Sequence, residues 1–210
     1  MESIEKIVAK QLLDIKAVKL NPENPFTWAS GWKSPIYCDN RKVLSYPAAR
    51  KVVYEAFVDI IKENFKDVEV IAGVATGAIA YGMMVAEVLG LPFVYVRPKP
   101  KDHGTGAQVE GDLPPKARVV VVEDLISTGG SSLKAVEALR NAGSEVVGMV
   151  ASFTYGFPVA EEAFAKAEVQ LETLTDYQSM LKAALASGYI KEESLDTLNE
   201  WRKNPSEWGK

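Results

Sequence analysis

RVVVVEDLISTGGSS, residues 118–132, sets four consecutive valines directly before two carboxylates, Glu123 and Asp124. An unbroken β-branched run of this length predicts a strand over Val119–Val122 that is buried on both faces. After Leu125 and Ile126 the chain turns through Ser127-Thr128-Gly129-Gly130-Ser131 and opens a helix over 130–141. Ligands of open α/β sheets bind outside the carboxyl ends of the strands. A Gly/Ser/Thr turn at a helix N-terminus offers backbone N–H groups, hydroxyls and a positive dipole end, which together suit a phosphate. The turn has neither the lysine of a P-loop nor the spacing of a dinucleotide fingerprint, so a terminal monophosphate fits it best. The acid pair would repel phosphate but accept hydrogen bonds from sugar hydroxyls. Taken together these residues describe a cradle for a ribose 5-phosphate. A lone turn of this composition is also an ordinary βα connection, and an acid pair can simply close a strand.

The same alternation extends on both sides. Residues 68–74 and Phe93–Val96 read as strands, 77–89 as an Ala/Met-rich helix stopped by Gly90, and Val146–Phe153 as a further strand. Helices are predicted over 3–16, from Ile4, Ile7, Val8, Leu12 and Ile15, and over 47–64, from Val52, Val53, Ala56, Phe57, Ile60 and Ile61. Residues 21–41 and 98–116 lack a period; the first is expected to be a structured loop with one short strand. The last third reads as mostly helical, with Leu195, Leu198 and Trp201 on one face. Apolar strands separated by helices predict an α/β fold, a central parallel sheet flanked by helices, in one domain spanning 1–210.

Composition removes many alternatives. With 24 Lys+Arg against 28 Asp+Glu the net charge is −4, so no broad basic face for nucleic acid is expected. The single cysteine, Cys38, excludes an internal disulfide framework and Cys-rich zinc sites, and the single histidine, His103, excludes any mechanism that needs two. Cys38 itself reads as a buried thiol. No metal ligand set is predicted. The N-terminus lacks a signal-peptide pattern, and no segment approaches the roughly 20 apolar residues that cross a bilayer. A soluble, cytoplasmic protein without membrane or nucleic-acid partners is expected.

A second concentration of chemistry follows the strand at 93–96. Arg97-Pro98-Lys99-Pro100-Lys101-Asp102-His103-Gly104-Thr105-Gly106 gathers three permanent cations and the histidine into seven residues, 97–103. Such a segment reads either as a solvated charged loop or as a lid that a ligand orders. Paired with a ribose-phosphate cradle, the lid reading gains weight, because cations can stabilise charge building on a departing anion.

The segment from the valines through Ser131 closely resembles the phosphoribosyl-pyrophosphate (PRPP) signature of type I phosphoribosyltransferases. Arg97 with Lys101-Asp102-His103-Gly104 resembles the catalytic loop of orotate phosphoribosyltransferases. Residues 26–39, FTWASGWKSPIYCD, resemble that family's SG–SP loop, which helps roof the base pocket. Within that loop Tyr37 can lie over a pyrimidine ring, while Phe26, Trp28 and Trp32 are equally explained as packing residues. With the three motifs in order, the resemblance spans nearly the whole chain and is to the short, single-function members. It implies a Rossmann-like type I phosphoribosyltransferase fold with a small N-terminal hood over 1–45, an α/β core over 46–170 and C-terminal helices over 171–210. The implied activity is a pentosyltransferase of pyrimidine (UMP) biosynthesis: orotate and PRPP give orotidine 5′-monophosphate and pyrophosphate, with Mg²⁺ held chiefly by substrate oxygens.

The resemblance also implies residue roles. Lys101 is the main catalytic cation, and Asp124 with Glu123 orients the ribose at a cationic C1 centre. Leu125, Ile126, Ser127, Thr128, Gly129, Gly130 and Ser131 cradle PRPP, and Ser127 also touches orotate. Arg97, Lys101 and His103 reach the partner's site in trans across a homodimer. Four departures stand out: Pro98 and Ala29 occupy positions where some relatives carry lysine, Thr154-Tyr155-Gly156 lacks the arginine some use for the orotate carboxylate, and Gly73–Gly77 matches a pyrophosphate loop without its lysine. The rival readings are a purine-type phosphoribosyltransferase and a non-catalytic PRPP-binding regulator.

Overall fold

The computed structural model describes residues 2–28, 31–100 and 108–209. Contacts gather the chain into two compact units, Arg50–Leu174 on one hand and Met1–Ala49 with Thr175–Lys210 on the other.

The larger unit is built on a six-stranded sheet. In chain order its strands are β5 (Val70–Val74), β6 (Phe93–Val96), β7 (Val109–Glu110), β8 (Arg118–Ile126), β9 (Glu145–Thr154) and β10 (Leu171–Asp176), arranged β10-β9-β8-β5-β6-β7. β5 pairs in parallel with both β6 and β8, and β8 in parallel with β9, while the short β7 runs antiparallel to β6. The four valines, residues 119–122, are fully buried, as a strand covered on both faces requires. α2 (Pro47–Asn64) occupies the predicted residues, α3 (Ile79–Leu89) packs on β5, β6 and β8, and α4 (Gly130–Asn141) packs on β8 and β9. α5 (Pro158–Lys166) precedes β10. The chain leaves β5 toward β6 on one side, then returns to place β8 on the other. The order therefore reverses between β5 and β8, and right-handed crossovers send α3 and α4 to opposite faces there.

The smaller unit holds α1 (Ile4–Asp14), packed on α6 (Tyr177–Ala186), together with α7 (Ser194–Lys203). Two antiparallel pairs lie here as well: β1 (Val18–Leu20) with β4 (Ile36–Cys38), and β2 (Phe26–Thr27) with β3 (Lys33–Ser34). A 3-10 turn spans Asn40–Ser45. Trp201 is buried, with Tyr177 and Trp28 each 5.6 Å away between ring centroids.

Several elements differ from the sequence reading. The segment 21–41 carries three short strands rather than one, because two- and three-residue strands are too brief to display a period. Residues 98–116 contain β7, and 171–176 form a strand where only helices are expected. Both lie at the edges of the sheet, where polar residues blur the apolar pattern. β8 is the most consequential: it continues through the acid pair to Ile126, held by Leu125↔Phe153 and Ile126↔Thr154 on β9.

Candidate active site

β5 and β8 stay paired only as far as Gly73↔Val122. Beyond that point β8 follows β9, whereas the chain after Val74 turns away through residues 75–78 into α3. The divergence opens a cavity of about 280 Å³ at the reversal of strand order. Its walls are Val74, Ala75, Thr76 and Gly77 after β5, Glu123, Asp124 and Leu125 on β8, and Ser127, Thr128, Gly129 and Ser131 at the start of α4. Of the predicted residues Glu123 to Ser131, all but Ile126 and Gly130 line the cavity; Ile126 is buried in the core, and Gly130 opens α4.

Local geometry fixes each side. Gly129 precedes α4 at φ +80, and a Cβ there would stand 2.9 Å from the Phe164 ring of α5. Only glycine combines that backbone with that approach. The first turn of α4 leaves its N–H groups without intrahelical acceptors, and they open toward the cavity with the positive dipole end. Across the cavity, a Cβ on Gly77 would run into Asp124 Oδ2, so the glycine is the seat of that carboxylate.

The two acids have different surroundings. Asp124 is half-buried. Glu123 is 5% exposed; its Oε1 accepts the Asp124 N–H at 2.9 Å and its Oε2 accepts the Ser132 hydroxyl at 2.9 Å. Burial, followed by the neighbouring Asp124 charge, pushes the Glu123 carboxyl up to about 8. Among the described lining residues the ionisable groups are these two acids. The other polar groups of the lining are the hydroxyls of Thr76, Ser127, Thr128 and Ser131 and the main chain, beside the apolar side chains of Val74, Ala75 and Leu125; the donors are oxygens, which are compatible with Mg²⁺ held chiefly by ligand oxygens. The described residues contain no cluster of three or more His, Cys, Asp or Glu.

Arg97 lies where β6 ends. Its N–H donates to the Gln108 carbonyl at 2.9 Å, the Gln108 amide donates back to the Arg97 carbonyl at 2.9 Å, and its guanidinium is 3.6 Å from Glu110. It does not line the cavity. Lys101 and His103 lie outside the described residues. Tyr155 is buried, stacked on Phe157 at 5.4 Å, and Gly156 N–H donates to Thr154 Oγ1 at 3.0 Å. In the smaller unit, Trp28 donates its indole N–H to the Ile36 carbonyl at 3.0 Å, a packing role. Tyr37 is exposed beside Phe26 at 5.8 Å. Cys38 is half-buried, its Sγ 3.4 Å from Asn40 Oδ1.

One contact and one residue escape sequence reasoning. Gly77 is named in the sequence as part of the 73–77 loop, but it meets Asp124 only because β5 and β8, far apart in sequence, are neighbours in the sheet. Ser132 lies one residue past the polar turn and carries no sequence signal that distinguishes it from any helical serine.

Comparison with known proteins agrees with this geometry. The family described as "Phosphoribosyl transferase domain" matches residues 40–177, more than half of the chain and all of the cavity, which defines the class. Orotate phosphoribosyltransferase of Porphyromonas gingivalis is 61% identical over 209 residues, covering 100% of both chains. The structure of orotate phosphoribosyltransferase from Aeropyrum pernix superposes with a TM-score of 0.76 at 34% identity, over 88% of this chain and 99% of that one. Leishmania donovani UMP synthase gives a TM-score of 0.81 at 27% identity over 95% of this chain; the chain spans only 42% of that longer protein. The chain belongs to the orotate phosphoribosyltransferase family and has the type I phosphoribosyltransferase fold.

Proposed function

We propose that the chain transfers the 5-phosphoribosyl group of PRPP to orotate, releasing pyrophosphate and forming orotidine 5′-monophosphate. The observation that carries this reading is the cavity where β5 and β8 part, with an acid on one wall and a glycine-led helix start on the other. The N–H groups and hydroxyls of Ser127 to Ser131 receive the 5-phosphate, and Asp124 accepts hydrogen bonds from the ribose hydroxyls. Ser127 also contacts the base. Bound Mg²⁺ supplies charge neutralisation on the pyrophosphate oxygens.

PRPP is strongly anionic, yet the described cavity lining contributes two acids and no cation. The cations must come from elsewhere, and Arg97, Lys101 and His103 are the residues we assign, with Lys101 stabilising charge on the departing pyrophosphate. Their delivery in trans within a homodimer fits the position of Arg97 against Glu110, outside its own chain's cavity. α3 supplies a surface for the second copy: it has one charged residue, Glu87, and leaves Met83 and Val88 about half exposed. A cytoplasmic setting fits the described helices, none of which is long and apolar enough to cross a membrane.

The test is loss of orotate absorbance on adding PRPP and Mg²⁺, run beside hypoxanthine, adenine and uracil. Turnover with orotate alone is expected; turnover with a purine instead, or PRPP binding with no product from any base, overturns the assignment.

A further inference from the structure

We propose that Ser132 is a positioning residue for PRPP binding that acts through Glu123. This rests on the activity proposed above. Successive side chains on a strand point to opposite faces, and the acid pair divides accordingly: Asp124 lies over Gly77 after β5, while Glu123 turns to the first turn of α4. Both Glu123 oxygens are engaged there, Oε1 by the Asp124 N–H and Oε2 by the Ser132 hydroxyl, each at 2.9 Å. Ser132 is itself 1% exposed. The carboxyl therefore ties the backbone at Asp124 to the helix whose N-terminus forms the phosphate turn. It sets the separation between the group that receives the ribose hydroxyls and the groups that receive the 5-phosphate. A substrate that must touch both at once binds well only if that separation is held.

Glu123 on this view serves mainly as a tie, and Ser132 is the anchor that fixes it. A serine hydroxyl can donate or accept, so the tie survives either protonation state of the carboxyl.

Steady-state kinetics of the full-length chain with PRPP and orotate test the idea. Ser132→Ala is expected to raise KM for PRPP about tenfold, the usual scale for leaving a buried polar group without its hydrogen-bond partner, with kcat changed less than about threefold. Glu123→Ala should raise KM at least as much. Combining the two should be no worse than Glu123→Ala alone, because both break one connection. A Ser132→Ala KM within about twofold of the parent, or a double variant showing the product of the single losses, overturns the proposal. Ser132→Ala removes one oxygen only, so its KM shift decides even if Glu123→Ala fails to fold. Should the parent chain make no product with orotate, the activity reading fails separately. Calorimetric titration of ribose 5-phosphate into the same variants then reads the same coupling, with additive losses again overturning it.

Discussion

The ends of β8 and β6 face the same edge of one sheet but are built differently. At the end of β8 the positions are set by close contact: Glu123 is held by Ser132 and the Asp124 N–H, Asp124 lies over Gly77, and Gly129 lies against the Phe164 ring. At the end of β6 the backbone of Arg97 is pinned to Gln108, but its side chain is about one-third exposed and its guanidinium has a 3.6 Å contact with Glu110. On the function proposed above, the first region is the one preorganised for the sugar phosphate. The second holds a cation loosely, which suits a group that must change partners during a reaction cycle. Substitutions at the two ends should accordingly separate binding from turnover.

The largest effect is expected at the cationic end. Lys101→Ala should lower kcat by about 10²–10³ while leaving PRPP binding less affected, as loss of one transition-state stabiliser does. Mixing that variant with an Asp124→Ala chain should restore partial activity if the lysine works in trans, since one site of each hybrid dimer would then be intact. No recovery in demonstrated hybrids would break the shared-site reading.

At the β8 end, Gly129→Ala forces a side chain into a left-handed backbone and against Phe164. A loss of stability of about 2–3 kcal/mol is expected, read by urea unfolding. Gly130, one residue on, has open space where a Cβ would lie, and its alanine variant should shift stability by less than about 1 kcal/mol. Equal losses at the two glycines would mean that the Phe164 contact does not shape the phosphate turn.

How far the sequence reveals this contrast depends on the range of each interaction. The valine strand, the acid pair and the turn were all legible, because each is a local pattern with its own periodicity or conformational demand. So was the α2 helix. The cavity is legible only in outline: nothing in RVVVVEDLISTGGSS says that β8 outlasts its pairing with β5, or that Gly77 lies under Asp124. The short strands β1 to β4 and β7, and the edge strand β10, were hidden or only partly anticipated because their partners, more than their residues, make them strands. The motif resemblance identified the family from residues whose geometry it could not supply.

Protonation sharpens the description of the β8 end. The Glu123 carboxyl is raised to about 8 by burial and by the Asp124 charge, against an ordinary value of 4.5. Between those values the folded chain retains a proton that the unfolded chain has lost, so unfolding releases it. Stability of the ligand-free chain is therefore full below about pH 4.5 and falls as pH rises toward 8, by up to about 1.4 kcal/mol per pH unit from this group. Glu123→Gln should remove that component of the slope. Melting curves across the window check it, and identical slopes in parent and variant would mean that the carboxyl titrates normally.

The smallest effect is expected at the β6 end, and its sign is the informative part. The Arg97–Glu110 pair is long and partly solvated, with side chains 35% and 21% exposed, so it contributes less than about 1 kcal/mol to stability. If Arg97 must leave Glu110 to meet an anionic ligand, that pairing opposes binding. Glu110→Gln keeps the side-chain shape and removes the competing charge. KM for PRPP should then fall by about two- to threefold, with the difference shrinking as salt screens the pair in the parent. A KM that rises instead would mean that Arg97 serves PRPP from where Glu110 now holds it, and that β6, like β8, presents a finished surface.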